Sequence, residues 1–146
     1  KTYKMKTILL TVTFILTTFL LTAQSKTEIA TEGTSITVTV PIKSTTGKVI
    51  FGLHNESTFM KEALVGLSSD IKDGLAKVTF TNVTPGTYGI VVLHDKNDNK
   101  RMDFEPSGMP KEAFGVSNNV MVMGPPQWND AKFEVADTPI EMEIRL

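Results

Sequence analysis

The chain has 146 residues, of which 40% are hydrophobic and 21% charged, values typical of a single globular domain. Lys and Arg total 15 and Asp and Glu total 16, so the formal charge is −1. This balance lacks the basic excess of a nucleic-acid-binding domain, and we expect no nucleic-acid partner. The chain has no cysteine, which excludes disulfides, thiolate metal ligands and a cysteine nucleophile.

The first 23 residues follow the order of a secretion signal. Three lysines precede an uncharged, mainly apolar run at 7–22, and Ala23 provides a small residue for cleavage. A retained membrane anchor is the alternative, but the run is short of the roughly 20 apolar residues that a spanning helix needs. We therefore expect a signal peptide at 1–23, with translation starting at Met5, and a mature chain that has no membrane span.

Export sets the expected compartment and charge of the mature chain. Removing three lysines leaves 12 basic against 16 acidic residues, a net charge of −4. Residues 24–33 are polar and lack periodicity, so they are expected to form a linker before a domain at 34–146. The expected location is periplasmic or extracellular.

Apolar and polar residues alternate with period two in much of the domain, which places every second side chain on one face of a strand. The alternating segments are 36–40, 49–53, 76–80 and 140–146. Residues 88–93 are almost continuously apolar, as in a strand covered on both faces. Six or seven short strands, separated by Gly, Pro and Asp turns, predict an all-β fold, a single antiparallel β-sandwich of about seven strands. A short helical turn is expected at 59–64.

Residues 95–119 interrupt this pattern with 25 residues rich in Asp, Asn, Lys, Gly and Pro. A loop of this length without its own secondary structure is uncommon in a compact domain, and such loops are usually functional or disordered. A functional site is therefore expected here first.

Oxygen-bearing residues recur at alternate positions at the start of this loop. The five expected ligands, at positions one, three, five, seven and nine, are Asp95, Asn97, Asn99, Arg101 through its backbone carbonyl, and Asp103. A hard cation takes six to eight oxygens, and a tightly wound segment can aim alternate residues at one point, so the spacing predicts a calcium site. The alternative is a solvated turn, since Asp and Asn favour turns without any ion.

Two positions depart from a complete calcium loop. Lys100 stands at position six, where glycine is usual, and a left-handed backbone costs a residue with a side chain about 1–2 kcal/mol. Pro106 stands at position twelve, where a bidentate glutamate is usual. Glu105 or the more distant Glu112 would have to complete the shell, which predicts weak binding, near the roughly 10⁻⁴ to 10⁻³ M of extracellular modules.

Three segments carry a resemblance to a known family. They are 83–88 with the His-Asp-Lys-Asn-Asp-Asn run at 94–99, Gly-Met-Pro-Lys-Glu at 108–112, and Phe-Gly-Val-Ser-Asn-Asn at 114–119. Together they resemble the domain-of-unknown-function 2141 family of exported bacterial proteins, over residues 36–146. The resemblance implies a signal peptide, a structured loop at 95–103 and a small transthyretin-like or carboxypeptidase-regulatory-like (Ig-like) β-sandwich, without a defined activity. In that family the position of Lys100 is commonly glycine.

An enzyme is the alternative from another functional class. His54 and His94 each end a strand and precede a polar loop, so with Asp95 they could form a metal-dependent hydrolase that uses a metal-activated water. Two histidines without a clear third ligand more often make ordinary hydrogen bonds, and the sequence assigns no catalytic residue. The first prediction is therefore a non-enzymatic binding or structural module with a calcium-stabilised loop at 95–103.

The partner of such a module is not specified by the sequence. Trp128 follows Pro125 and Pro126, where it could anchor a protein or glycan partner or close the core. Glu112 could be an ion ligand or a surface residue.

Overall fold

Strands provide nearly all the regular structure of residues 33–121 and 124–146, the part of the chain that the computed structural model describes. The predicted signal peptide at 1–23 and the predicted linker, apart from Gly33, lie outside this part. Its eight strands are β1 Thr34–Pro41, β2 Lys48–His54, β3 Val65–Asp70, β4 Leu75–Val83, β5 Gly86–Asp95, β6 Phe114–Val116, β7 Phe133–Val135 and β8 Ile140–Glu143. A 3-10 turn at Ser117–Asn119 and one helical turn, α1 at Trp128–Ala131, separate β6 from β7. No helix in the two described ranges is long and apolar enough to cross a bilayer.

The strands form two sheets, an arrangement that fits a β-sandwich. In the first sheet, β1 pairs antiparallel with β4 and parallel with β8. The second sheet has the order β3-β2-β5-β6, and β7 pairs with the beginning of β5. The prediction of a purely antiparallel sandwich is wrong at β8. This strand follows β7 of the other sheet instead of forming a hairpin with β1, so no tight turn imposes an antiparallel direction.

The core lies between the two sheets, where the inward side chains of both meet. The largest fully buried apolar residues are Phe51 on β2, Phe80 on β4, Ile36 on β1, Ile90 on β5 and Ile144 just after β8. Full burial of one such side chain contributes about 1.5–3 kcal/mol to stability. The predicted alternation at 36–40, 49–53 and 76–80 is thus confirmed, because every second residue of these segments belongs to this core or, in the case of Val78, packs against it.

β5 is buried on both faces, as its nearly continuous apolar sequence predicts. One face carries Ile90 and Val92 into the core between the sheets. The other face lies under a second, smaller cluster formed by Phe59, Val91, Val116, Trp128 and Ala131. β5 is therefore the element that connects the core with the outer cluster.

Two local expectations are wrong. The helical turn expected at 59–64 is replaced by hydrogen-bonded turns at 56–60, because Met60 adopts a left-handed backbone with φ of 57°. The segment 95–119 is not without secondary structure, since Phe104 and Pro110 form an isolated bridge and β6 begins at Phe114. The irregular part of the chain is correspondingly shorter than the sequence suggests.

Candidate functional site

The predicted ion-binding loop begins at Asp95, the last residue of β5, whose side chain is fully buried. Its carboxylate accepts two backbone hydrogen bonds, from Asn99 to Oδ1 at 3.2 Å and from Lys100 to Oδ2 at 2.8 Å. Aspartate commonly shapes turns by accepting nearby backbone N–H groups, and buried carboxylates require such partners. One buried side chain therefore winds the following five residues into a tight turn.

Two residues of this turn have left-handed backbone, Asp98 with φ of 58° and Lys100 with φ of 63°. Aspartate tolerates this region comparatively well, whereas a residue such as lysine is strained by about 1–2 kcal/mol. The hydrogen bond from Lys100 to Asp95 offsets part of that strain. Position six of the predicted calcium loop thus has the conformation for which such loops use glycine.

Three of the predicted ligands converge on one another. Asn97 Nδ2 donates to Oδ2 of Asp103 at 2.7 Å, and Asn99 Nδ2 lies 3.0 Å from each carboxylate oxygen of Asp103. The amide oxygens of the two asparagines accept backbone N–H groups, Asn97 from Asn99 at 3.2 Å and Asn99 from Arg101 at 3.0 Å. The side chains of Asn97 and Asn99, at positions three and five, therefore both contact the carboxylate of Asp103, at position nine.

Glu112 connects the two ends of this segment. The side chain is buried, with Oε1 accepting the N–H of Lys96 at 2.8 Å and Oε2 accepting the N–H of Asp103 at 3.3 Å. A backbone hydrogen bond from Lys111 to the Asp103 carbonyl, at 2.9 Å, brings the chain back to this position. Glu112 is thus a buried residue of the loop, a role that its sequence position alone did not decide.

The donor atoms of the loop suit a hard cation, because they are carboxylate, amide and carbonyl oxygens. Within the described residues, no group of three or more His, Cys, Asp or Glu side chains could hold a metal ion. Asparagine oxygens and the carbonyl of Arg101 would therefore have to supply much of the shell. Asn97 and Asn99, whose amide nitrogens face Asp103, would have to turn their amide oxygens towards an ion.

The structure does not bring His54 and His94 together. In the β2–β5 ladder, His54 pairs with Gly89. His94 pairs with Val49, five residues away along each strand, which corresponds to about 16 Å. Paired residues point to the same face of the sheet, and Val49, the partner of His94, is five residues from His54 along β2. Because successive side chains alternate between faces, His54 and His94 point to opposite faces. The predicted hydrolase site of His54, His94 and Asp95 is therefore wrong.

Each histidine makes a local hydrogen bond instead. His54 Nδ1 lies 2.9 Å from the Thr58 carbonyl oxygen, and its ring packs edge-on against Phe59 at a centroid distance of 6.0 Å. Burial lowers the pKa of His54 below its usual 6.5, and the hydrogen bond to Thr58 partly opposes this shift. His94 Nε2 lies 2.9 Å from the Thr46 carbonyl oxygen, which fastens the β1–β2 turn to the end of β5.

Ser117 joins β5 to α1. The side chain is fully buried, and its Oγ accepts the N–H of Ile90 at 3.0 Å and donates to the carbonyl of Ala131. A hydroxyl can perform both functions at once, so a single atom satisfies a buried donor and a buried acceptor. This role could not be predicted from the sequence, because both partners of Ser117 are distant from it in the chain.

The two asparagines that follow fasten the same segment to its neighbours. Asn118, with φ of 68°, donates from Nδ2 to the carbonyl of Asp130 at 2.9 Å. Asn119, with φ of 53°, donates to the carbonyl of Glu143 and accepts the N–H of Arg145, both at 2.8 Å. Asparagine tolerates left-handed backbone, so consecutive asparagines after a strand were a signal for this turn.

The fold and these contacts define a β-domain of two sheets with an internally hydrogen-bonded polar loop. A family model described as "Uncharacterized protein conserved in bacteria (DUF2141)" matches residues 36–143. The chain belongs to this family, as its three characteristic segments predicted. No match was found among curated proteins or among solved structures.

Proposed function

We propose that the protein is an exported, non-enzymatic binding or structural module whose loop at 95–103 is stabilised by a weakly bound calcium ion. The observation that carries the proposal is the convergence of Asn97 and Asn99 on Asp103, next to the buried carboxylate of Asp95. Oxygen-bearing side chains at positions one, three, five and nine are thereby linked by hydrogen bonds within one short segment. This arrangement favours a cation over an anionic or apolar ligand.

The negative charge of the loop favours the binding of calcium. Asp95, Asp103 and Glu112 belong to one hydrogen-bonded loop, in which the backbone of Asn99 reaches Asp95 and its side chain reaches Asp103. The negative charge of these carboxylates would attract a divalent cation to this segment. The nearby Lys48–Asp98 ion pair, at 3.4 Å, is exposed and contributes little.

The donor chemistry favours calcium over other divalent ions. Magnesium requires a small, nearly ideal octahedron and retains much of its water, whereas calcium tolerates six to eight oxygens in irregular geometry. Zinc prefers cysteine thiolate and imidazole, and the loop at 95–103 contains neither cysteine nor histidine. A calcium-specific effect is therefore expected.

The loop also gives the module a contact surface. Phe104, which directly follows the proposed ion-binding segment, is 58% exposed, and Met109, further along the same loop, is 65% exposed. Exposed apolar side chains on an ordered loop are a common feature of interaction sites. An ion that fixes the conformation of 95–103 would also order this surface, and less conformational entropy would then be lost when a partner binds.

Export is the second part of the proposal. The basic, apolar and small-residue order at 1–23 supports a cleaved signal, and the family is conserved in bacteria. The proposed location is the periplasm or the extracellular space, where free calcium can reach the concentrations that a weak site needs.

Calorimetric titration of the folded domain with calcium tests the ion site. We expect a dissociation constant of about 10⁻⁴ to 10⁻³ M, weakened about tenfold in Asp103→Asn, which removes one ligand charge. Asp137→Asn makes the same charge change in the exposed turn before β8 and should bind as the wild type does. Equal affinities in all three proteins, or no binding heat, would reject the site.

A further inference from the structure

The geometry points to a second binding site, a groove beside Trp128 that takes a neutral saccharide. The groove has a volume of about 480 Å³ and is lined by Trp128 together with the polar residues Asn55, Glu56, Thr87, Lys132 and Glu134. Small-molecule sites usually have volumes of about 300–1,000 Å³. This site specifies a ligand for the module proposed above, but it does not depend on the loop at 95–103.

The indole of Trp128 is held rigidly from one side. Its ring meets Phe59 at a centroid distance of 5.5 Å and an angle of 65°, and it lies so close to Gly89 that an added Cβ would be 3.0 Å from the ring. Gly89 thus makes room for the indole on the outer face of β5. The half-buried ring borders the groove with its remaining surface, so little entropy is lost when a ligand packs on it.

Polar groups around the ring are fixed in place. Thr87 Oγ1 donates to Oε1 of Glu134 at 2.8 Å, which orients this carboxylate beside the groove. Asn55 Oδ1 accepts the N–H of Thr58 at 3.0 Å, which leaves its Nδ2 available to a ligand. Within the described part of the chain, the carboxylate of Glu56 and the indole Nε1 of Trp128 also make no hydrogen bond.

A saccharide matches this combination. A sugar ring has an apolar face of C–H groups, which can stack on an indole, and hydroxyls that both donate and accept hydrogen bonds around its edge. Glu56 and Glu134 place two carboxylates against the single ammonium of Lys132, so the groove disfavours an anionic ligand. A neutral saccharide is therefore the best match.

The groove and the proposed ion site lie at opposite ends of the same strand pair. Trp128 packs over Gly89, which pairs with His54, whereas Asp95 pairs with Lys48 at the other end of the ladder. Saccharide binding should therefore persist in excess chelator. If one of the two proposed sites is rejected by experiment, ligand binding at the other can still be tested.

The fluorescence of Trp128 provides a direct test, because it is the only tryptophan in the chain. The probes are the neutral trisaccharides cellotriose, maltotriose, mannotriose and triacetylchitotriose, with trigalacturonic acid as the anionic comparison, all titrated in excess chelator. At least one neutral probe is expected to change the emission saturably below about 10 mM. Trigalacturonic acid is expected to bind more weakly than that probe.

Variants in the groove separate binding from a general effect of sugar on the protein. Glu56→Ala removes an exposed carboxylate that supports no other residue, and it is expected to weaken binding about tenfold. Glu141→Ala changes an exposed carboxylate on β8 of the other sheet and should bind as the wild type does. No response to any neutral probe, tighter binding of the anionic probe, or equal affinity in Glu56→Ala would overturn the proposal.

Discussion

The backbone N–H of Lys100 donates a 2.8 Å hydrogen bond to Oδ2 of Asp95, and this bond spans the tightest part of the loop. Asp95 is fully buried at the end of β5, while Lys100 is exposed and left-handed with φ of 63°. A strained surface residue is thus held in place by a buried carboxylate. The relationship connects the loop to the end of β5 and can be tested directly.

The first test is Lys100→Gly. Glycine adopts left-handed backbone without steric cost, so the substitution relieves about 1 kcal/mol of strain. We expect the free energy of unfolding to rise by about that amount, corresponding to an increase in Tm of about 4 °C. Lys96→Gly is the matched control. Lys96 is also exposed but is not left-handed, so glycine there should leave stability unchanged or lower it.

Removal of the Glu112 side chain tests whether the ends of the loop are held together. Glu112→Ala leaves the N–H groups of Lys96 and Asp103 without their acceptor, and the expected cost is about 1–3 kcal/mol. Hydrogen exchange at these two amides should accelerate most. Glu105→Ala removes an exposed carboxylate whose contact with Lys111, at 3.9 Å, is long, and should change stability by less than about 0.5 kcal/mol. Similar effects in both variants would argue against this role of Glu112.

Ser117→Ala tests the connection between β5 and α1. The substitution leaves the N–H of Ile90 without an acceptor and the carbonyl of Ala131 without a donor, both in a buried environment. The expected loss in the free energy of unfolding, measured by urea denaturation, is about 2–4 kcal/mol. Ser68→Ala, at an exposed position of β3, is expected to change it by less than about 0.5 kcal/mol. A neutral Ser117→Ala would show that the bridging hydroxyl is dispensable.

Acid should destabilise the domain through His54. Burial lowers its pKa in the folded protein below the 6.5 of the unfolded chain, so protonation favours unfolding. Stability from this group is complete above about pH 6.5 and is lost as the pH falls through the folded pKa. Urea denaturation at several pH values measures the free energy of unfolding, and NMR titration of the ring measures the pKa of His54. His54→Asn can keep the donor to Thr58 but does not titrate, so its stability should depend less on pH in this range. An NMR pKa of His54 above 6.5 would contradict this prediction.

Alternation was sufficient to predict the strands that bury one face. β1 has Ile36, Val38 and Val40 fully buried between partly exposed threonines, and the period of two is visible in its sequence. β3 was not predicted, because none of its six residues is buried and Val-Gly-Leu-Ser-Ser-Asp has no apolar periodicity. Its pairing with β2 is specified by the tertiary structure.

The error at His54 and His94 has a topological cause. Both residues end a strand, and the sequence reasoning placed those strand ends together. β2 and β5 are antiparallel neighbours, so their last residues lie at opposite ends of the strand pair. The direction in which two strands pair depends on how the chain connects them, and the sequence pattern at the strand ends does not reveal it. The convergence of Asn97 and Asn99 on Asp103 was easier to anticipate, because it follows from spacing within one short segment.

The most direct test of the proposed calcium site is the Tm of the folded domain in excess chelator, calcium, magnesium or zinc, with Asp103→Ala alongside. Calcium at about ten times its dissociation constant should stabilise the wild type by about 1.4 kcal/mol, raising the Tm by several degrees. Magnesium and zinc should have little effect, and Asp103→Ala should not respond to calcium. Identical Tm values in all four conditions would contradict the proposal and leave 95–103 as a turn stabilised by its own hydrogen bonds.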